Sequence, residues 1–171
     1  MNETLKAILG RRSIRKFTRE KISDDSKKLL LEAAFAAPSA KNQRGTDFVV
    51  IEDRKILDTL ADNLLYGKML YQAPLCIAVC SETKRGAEEL VLWEEDAAAA
   101  MENILVAAKS LGLGSVWLGI LAREDREDKV REILEVPSEI RVVGLAAIGY
   151  PDEEKEPHGE INEARIHFNK W

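Results

Sequence analysis

The chain has 171 residues, 46% of them hydrophobic and 32% charged, with a formal net charge of −5, which suits one globular domain over residues 1–171. An acidic balance excludes a general nucleic-acid binder, which would be basic. No apolar run approaches the ~20 residues that span a bilayer, and Met1–Arg12 lacks the unbroken apolar core of a secretion signal, so the expected location is the cytosol.

In chain order, Glu3–Leu9 reads as a short helix running into Gly10. Ser23 is a good N-cap, with Asp24 and Asp25 in the first turn, for a helix to about Ala37 that Pro38 stops. Phe48–Ile51 and Leu75–Cys80 are continuous apolar runs, read as buried strands, and Asp53 can cap a helix Arg54–Ala61 between them. Cys76 and Cys80 would lie some 13 Å apart on one strand, beyond the roughly 7 Å a disulfide allows, so buried thiols are expected. With only His158 and His167 besides, no metal site is expected.

A long helix follows, from about Ala87 to Leu111, with Ala97, Met101, Ile104, Leu105 and Ala108 on one stripe. Its small residues, Ala97 to Ala100, allow close approach of another helix, within the monomer or across a dimer axis. Gly112 and Gly114 end it. Ser115–Leu121 reads as a strand, Arg123–Leu134 as a polar helix and Arg141–Ile148 as a strand. From Tyr150 the chain turns polar yet ends in Ile166, Phe168 and Trp171. Residues 150–171 are therefore expected to form an arm toward another subunit. The whole is an α+β protein, a small mixed, mostly antiparallel sheet wrapped by helices.

Familiar nucleotide motifs fail. Gly112-Leu113-Gly114 opens like a dinucleotide fingerprint, but Trp117 stands where the third glycine belongs and the segment leads from helix to strand. Gly114 to Gly119 has P-loop spacing, with Ile120 and Leu121 in place of Lys and Ser/Thr. No G-x-S-x-G elbow exists.

Three other segments offer binding chemistry. Arg11-Arg12-Ser13-Ile14-Arg15-Lys16, if extended, puts Arg11, Ser13 and Arg15 on one side, two guanidinium groups flanking a hydroxyl, which suits a phosphate monoester. A solvated basic turn would look the same. Ala37-Pro38-Ser39-Ala40-Lys41-Asn42 can lie against a flat ring, Asn42 offering donor and acceptor, or can simply end a helix. Gly119 lets a ring approach its backbone, which a helix cap followed by a buried strand explains less well.

Taken in order, these segments resemble the nitroreductase-like FMN family. The matching pieces are Arg11–Arg15, Ala37–Ala40 with Asn42, Asp96 to Asn103, Leu111–Gly119, Ile148-Gly149-Tyr150-Pro151 and a tail ending in Trp171. The resemblance covers essentially the whole chain. It implies an intertwined homodimer with two FMN sites built from both chains, and no nucleic-acid or membrane partner. Arg11, Ser13 and Arg15, with Arg12 beside them, would hold the phosphate and ribityl end. Pro38, Ser39, Ala40 and Asn42 would reach the ring from the partner subunit, and the backbone at Leu118 and Gly119 would face its N5 region. A basic tail residue would help at the phosphate, Arg165 ahead of Lys155 and His158. NADH or NADPH would deliver hydride to flavin N5, and a nitroaromatic, quinone or similar small acceptor would take the electrons in a ping-pong cycle, with no side chain needed as acid or base. One departure stands out: where the family commonly has Gln-Pro-Trp after the asparagine, this chain has Gln43-Arg44-Gly45-Thr46. Tyr66, Met69 and Tyr71 could line an opening, though simple packing accounts for them.

Two other readings compete. A non-catalytic module that holds FMN for transfer or sensing would bind flavin without reduction by NAD(P)H. A helical interaction protein with no cofactor would be colourless.

Overall fold

Capping side chains start the helices where the sequence places them. The computed structural model describes residues 1–85, 87–121, 124–157 and 159–171, with Glu124 described by its backbone. Helix α1 (Glu3–Gly10) begins at Asn2, whose side chain accepts from the Leu5 N–H at 2.9 Å. Helix α2 (Asp24–Phe35) begins at Ser23, which accepts from the Ser26 N–H at 3.2 Å. It stops two residues short of Ala37, because the residue before Pro38 is kept out of helical geometry. Strand β1 (Thr46–Ile51) leads to α3 (Arg54–Asn63), where the Asp53 carboxylate accepts from the N–H groups of Lys55 and Ile56. Strand β2 (Leu75–Glu82), a hairpin of β3 (Lys84–Arg85) and β4 (Glu88–Glu89), and helix α4 (Trp93–Ser110) follow. Strand β5 (Gly114–Gly119), helix α5 (Glu124–Leu134) and strand β6 (Ile140–Gly149) complete the fold. The expected first residue of α5, Arg123, lies outside the described residues.

Two expectations are corrected. The sheet has order β1-β2-β6-β5, and each neighbouring pair is antiparallel. Parallel pairing among the described residues is confined to one isolated bridge, Ser13 to Ser115, so the sheet is not mixed. Register gives the reason: Ile51 at the end of β1 pairs with Cys76 near the start of β2, so α3 does not carry the chain back across the sheet. The long helix begins at Trp93 and not near Ala87. Lys84 is in register with Glu89 and Arg85 with Glu88, while the Arg85 side chain pairs with Glu82 at 2.8 Å and Glu88 accepts from the Gln43 amide at 3.0 Å. The Leu90 N–H then bonds to the Thr83 carbonyl and Leu92 turns left-handed at φ 57°.

Helices cover both faces of the sheet. Along β2, Leu75, Ile77 and Val79 pack with Leu30 of α2 and Met101, Ile104 and Leu105 of α4. The alternate residues Cys76, Ala78 and Cys80 pack with Leu57 and Leu60 of α3 and Val130 of α5. Burial on both faces is why β2 reads as a continuous apolar run. Both cysteines are free and buried. Burial, with Asp47 and Glu127 nearby, pushes the Cys80 thiol up to about 12, and burial pushes Cys76 higher still. Neither is a reactive thiolate.

One buried ion pair pins α5 to β6. The Glu127 carboxylate, 3% exposed as a residue, accepts a two-pronged bond from Arg141 at 2.7 and 2.8 Å and a third from the Val142 N–H at 3.0 Å. Burial alone would raise its pKa, but these bonds outweigh it and hold the carboxyl below the ordinary range. The Arg141 guanidinium also lies 5.6 Å from the Trp93 ring.

Among the described residues no helix is long and apolar enough to cross a membrane.

Candidate active site

The basic N-terminal segment is held along the outer edge of β5. The Ile14 N–H donates to the Ser115 carbonyl, and the Thr18 N–H to the Tyr150 carbonyl, both at 2.9 Å. On the far side, the Glu153 carboxylate accepts from the backbone N–H groups of Arg15 and Lys16 and pairs with Lys155 at 3.2 Å. The Arg15 N–H bond is the main reason its carboxyl lies below the ordinary range. With its backbone fixed this way, Arg15 presents its side chain to a cleft shared with Leu118 and Gly119.

That first cleft has a volume of about 250 Å³. Its walls are apolar, from Leu64, Val116 and Leu118, with guanidinium groups from Arg15 and Arg126. Gly119 is its open floor: a Cβ built there meets nothing within 4 Å. Trp117 stands at the rim, 37% exposed, and has room because Gly144 carries no side chain beneath its indole. Tyr66 also lines this cleft and is 70% exposed, so its packing reading is corrected. Met69 and Tyr71 do pack on the core, and the Tyr71 hydroxyl donates to Asp62.

A second cleft gathers Arg11, Arg12, Lys109 and Lys155 against Glu153, Glu154 and Glu156. Arg11 also pairs with Glu102 of α4 at 3.3 Å. Ser13 sits at the junction, its carbonyl accepting from the Lys155 ammonium at 2.6 Å. Of the three tail candidates, Lys155 is the one the structure brings to this basic group. Arg165 lies in an exposed turn, Glu163–Arg165, away from the described clefts. His158 lies outside the described residues.

A third cleft holds Pro38 and Ser39, with Phe35, Phe48, Asp96 and Ala100. Ala40 donates its N–H to Asp96 at 2.8 Å, and Asn42 accepts from the Arg44 side chain at 2.8 Å. Within this loop Lys41, Asn42 and Arg44 all have positive φ, 51°, 56° and 50°. Lys and Arg rarely adopt that region, and such strain gathers at functional loops. Gly45 is buried behind the loop: its carbonyl accepts from Ser81 Oγ and the Glu82 N–H, and Leu90 packs where a side chain would stand.

Helix α4 separates the third cleft from Gly119. Asp96 and Ala100 line the Pro38 side, whereas Ala98 lines an open cleft with Trp117 and Gly119. Residues two apart on a helix point about 200° apart. Within one chain, the Pro38–Ser39 loop and the Gly119 backbone therefore face opposite ways.

The comparisons with known proteins agree on one family. The family model described as Nitroreductase family matches residues 8–67 and 61–150. An Archaeoglobus fulgidus protein with the provisional description NADH dehydrogenase/NAD(P)H nitroreductase is 42% identical over the full length of both chains. A Parabacteroides distasonis crystal structure under the same provisional description superposes with a TM-score of 0.94, at 36% identity, covering 100% of each chain. An FMN-dependent nitroreductase from Clostridium difficile gives a TM-score of 0.89 at 32% identity, covering 98% of this chain and 99% of that one.

Proposed function

The chain belongs to the nitroreductase family and is an NAD(P)H-dependent flavin oxidoreductase with FMN as its cofactor; we propose that each flavin site is built from two copies of the chain. The observation that carries this is the opposed placement of Pro38–Ser39 and Gly119 on the two sides of α4. A second copy reconciles them by supplying its own Pro38, Ser39, Ala40 and Asn42 to the first copy's Gly119. The first cleft alone, at about 250 Å³, is also smaller than the roughly 300–1,000 Å³ of a ligand pocket. Exposed apolar side chains support the same assembly: Leu5 and Ile8 on α1, Phe35, and Phe168 and Trp171 in the tail.

The residues fit a flavin. The missing Cβ of Gly119 leaves space for a planar ring against the Leu118–Gly119 backbone. The basic second cleft, with Arg11, Arg12 and Lys155, suits a phosphate monoester, and Ser13 is tied to it by its carbonyl's bond from Lys155. FMN, when bound, supplies a hydride-accepting N5 that NAD(P)H reduces and an electron-poor acceptor reoxidises. Arg15, which lines the same cleft as Leu118 and Gly119, would place a positive charge beside the ring and so favour electron uptake by it. Leu64 and Val116 keep the walls apolar, and Trp117 and Tyr66 frame the mouth. Donor and acceptor enter by the same mouth in turn, a ping-pong order. Nitroaromatics and quinones are the acceptor classes this open, apolar-walled cleft suits.

The test is a visible spectrum of the purified protein, followed by NADH or NADPH without oxygen. A flavin spectrum that bleaches supports the reading. One that persists with both nucleotides would leave a flavin-binding module in its place. Sedimentation of the same sample should give a dimer, and a monomer carrying a full complement of flavin would refute the shared site.

A further inference from the structure

Arg126 has no part in the flavin assignments above, yet it lies in the same cleft. It projects from α5 and donates to the Gly119 carbonyl at 2.7 Å. Together with Arg15 it gives the cleft two guanidinium groups, and no carboxylate lines it among the described residues. This is unusual in a chain of net charge −5, where the four cations of the neighbouring basic cleft are offset in part by three glutamates. Of the two acids that flank Arg126 in the chain, Glu127 is turned inward onto Arg141 and the Val142 N–H, and Asp125 does not line the cleft. That buried fork fixes the rotation of α5, and so keeps Arg126 on the outer side, over Gly119.

One N–H of Arg126 is used by the Gly119 carbonyl, which leaves others of its five donors for a ligand. A guanidinium suits a carboxylate or phosphate, and a concave site of one charge sign concentrates oppositely charged ligands. We propose that Arg126 is a specificity-determining residue that selects reactants bearing an anionic group as they enter the cleft. This rests on the cleft being the reactant entrance of the proposed function. Two sources carry the same chemistry: the phosphates of the nicotinamide donor, and a carboxylate or sulfonate on the acceptor.

The experiment is calorimetric titration of the oxidised holoprotein with benzoate and with benzamide, which share a shape and differ in charge. Benzoate should bind about tenfold more tightly. Arg126→Gln should bring benzoate down to the benzamide level, and Arg126→Lys should restore most of the difference. Equal affinities in the unmutated protein, or an equal loss for both ligands in Arg126→Gln, would overturn the proposal; the equal loss would leave Arg126 as a prop for Gly119. Steady-state kinetics separate the sources. A raised KM for NADH with a neutral quinone points to the donor, and a raised KM for 4-nitrobenzoate but not nitrobenzene points to the acceptor. If neither KM moves, the proposal fails. If benzoate is preferred but NADH does not bleach the flavin, the anion site stands and the oxidoreductase reading falls.

Discussion

Strand β2 and the C-terminal tail use apolar residues in opposite ways. Every residue from Leu75 to Ser81 is buried, on both faces of the sheet. In the tail, Ile161, Phe168 and Trp171 are 76, 84 and 100% exposed, and Trp171 stacks on His167. The contrast separates what one chain completes from what it leaves open. The sheet and its helices form a finished core. The tail, the outer face of α1 and the Pro38 loop hold surface that the proposed second copy would cover.

Breaking the open half should have the largest effect. Removing residues 160–171 should raise the dimer dissociation constant roughly a thousandfold, since several large apolar side chains lose their proposed burial. Sedimentation over a concentration series measures it. Unchanged dimerisation would mean that the tail is no arm. In the closed half, Leu145→Ala should destabilise the fold by about 3 kcal/mol in urea unfolding, through the cavity left in a fully buried site, without a specific loss of dimer.

Glu127→Gln should cost about 2 kcal/mol, because Arg141 and the Val142 N–H lose a charged acceptor. The pair also sets a pH dependence. Its folded pKa lies below the ordinary glutamate value of 4.5, so its contribution is complete above that value and is lost as pH falls through the folded pKa. Unfolding midpoints from pH 6 to pH 3 should drop less steeply in Glu127→Gln than in the unmutated protein. The smallest effects belong to the junction of the two halves. Gly119→Val and Arg15→Ala should each weaken FMN binding about tenfold, one by filling the open floor and the other by removing a charge. Arg15→Ala should also lower the flavin potential, and an unchanged potential would remove its role toward the reduced ring.

Much of this was legible locally. Ser23 and Asp53 cap their helices as their side chains allow, and the apolar run Leu75–Cys80 is the doubly covered strand it resembles. The segments Arg11–Arg15 and Pro38–Asn42, and the glycine at 119, each have a plain structural explanation alone, and it is their ordered set that resembles the family. Less legible was the hairpin at Lys84–Glu89, whose backbone pairing takes up residues that helical spacing alone would give to the long helix. The sequence leaves Tyr66 between lining an opening and simple packing, because an exposed tyrosine and a packed one have the same neighbours in sequence. Arg126 carried no signal at all, since it is one charge among many on a polar helix.

The sequence by itself determined most of the elements, because caps, glycines and the periods of helix and strand act over a few residues, while the family rests on the resemblance of an ordered set of motifs from Arg11 to Pro151. Only the tertiary structure decided the sheet's all-antiparallel order, the arrival of Lys155 beside Arg11 and Arg12, and the placement of Pro38 and Gly119 on opposite sides of α4. Those outcomes depend on which faces pack together across more than a hundred residues of chain, and packing of that range leaves no local periodicity to read.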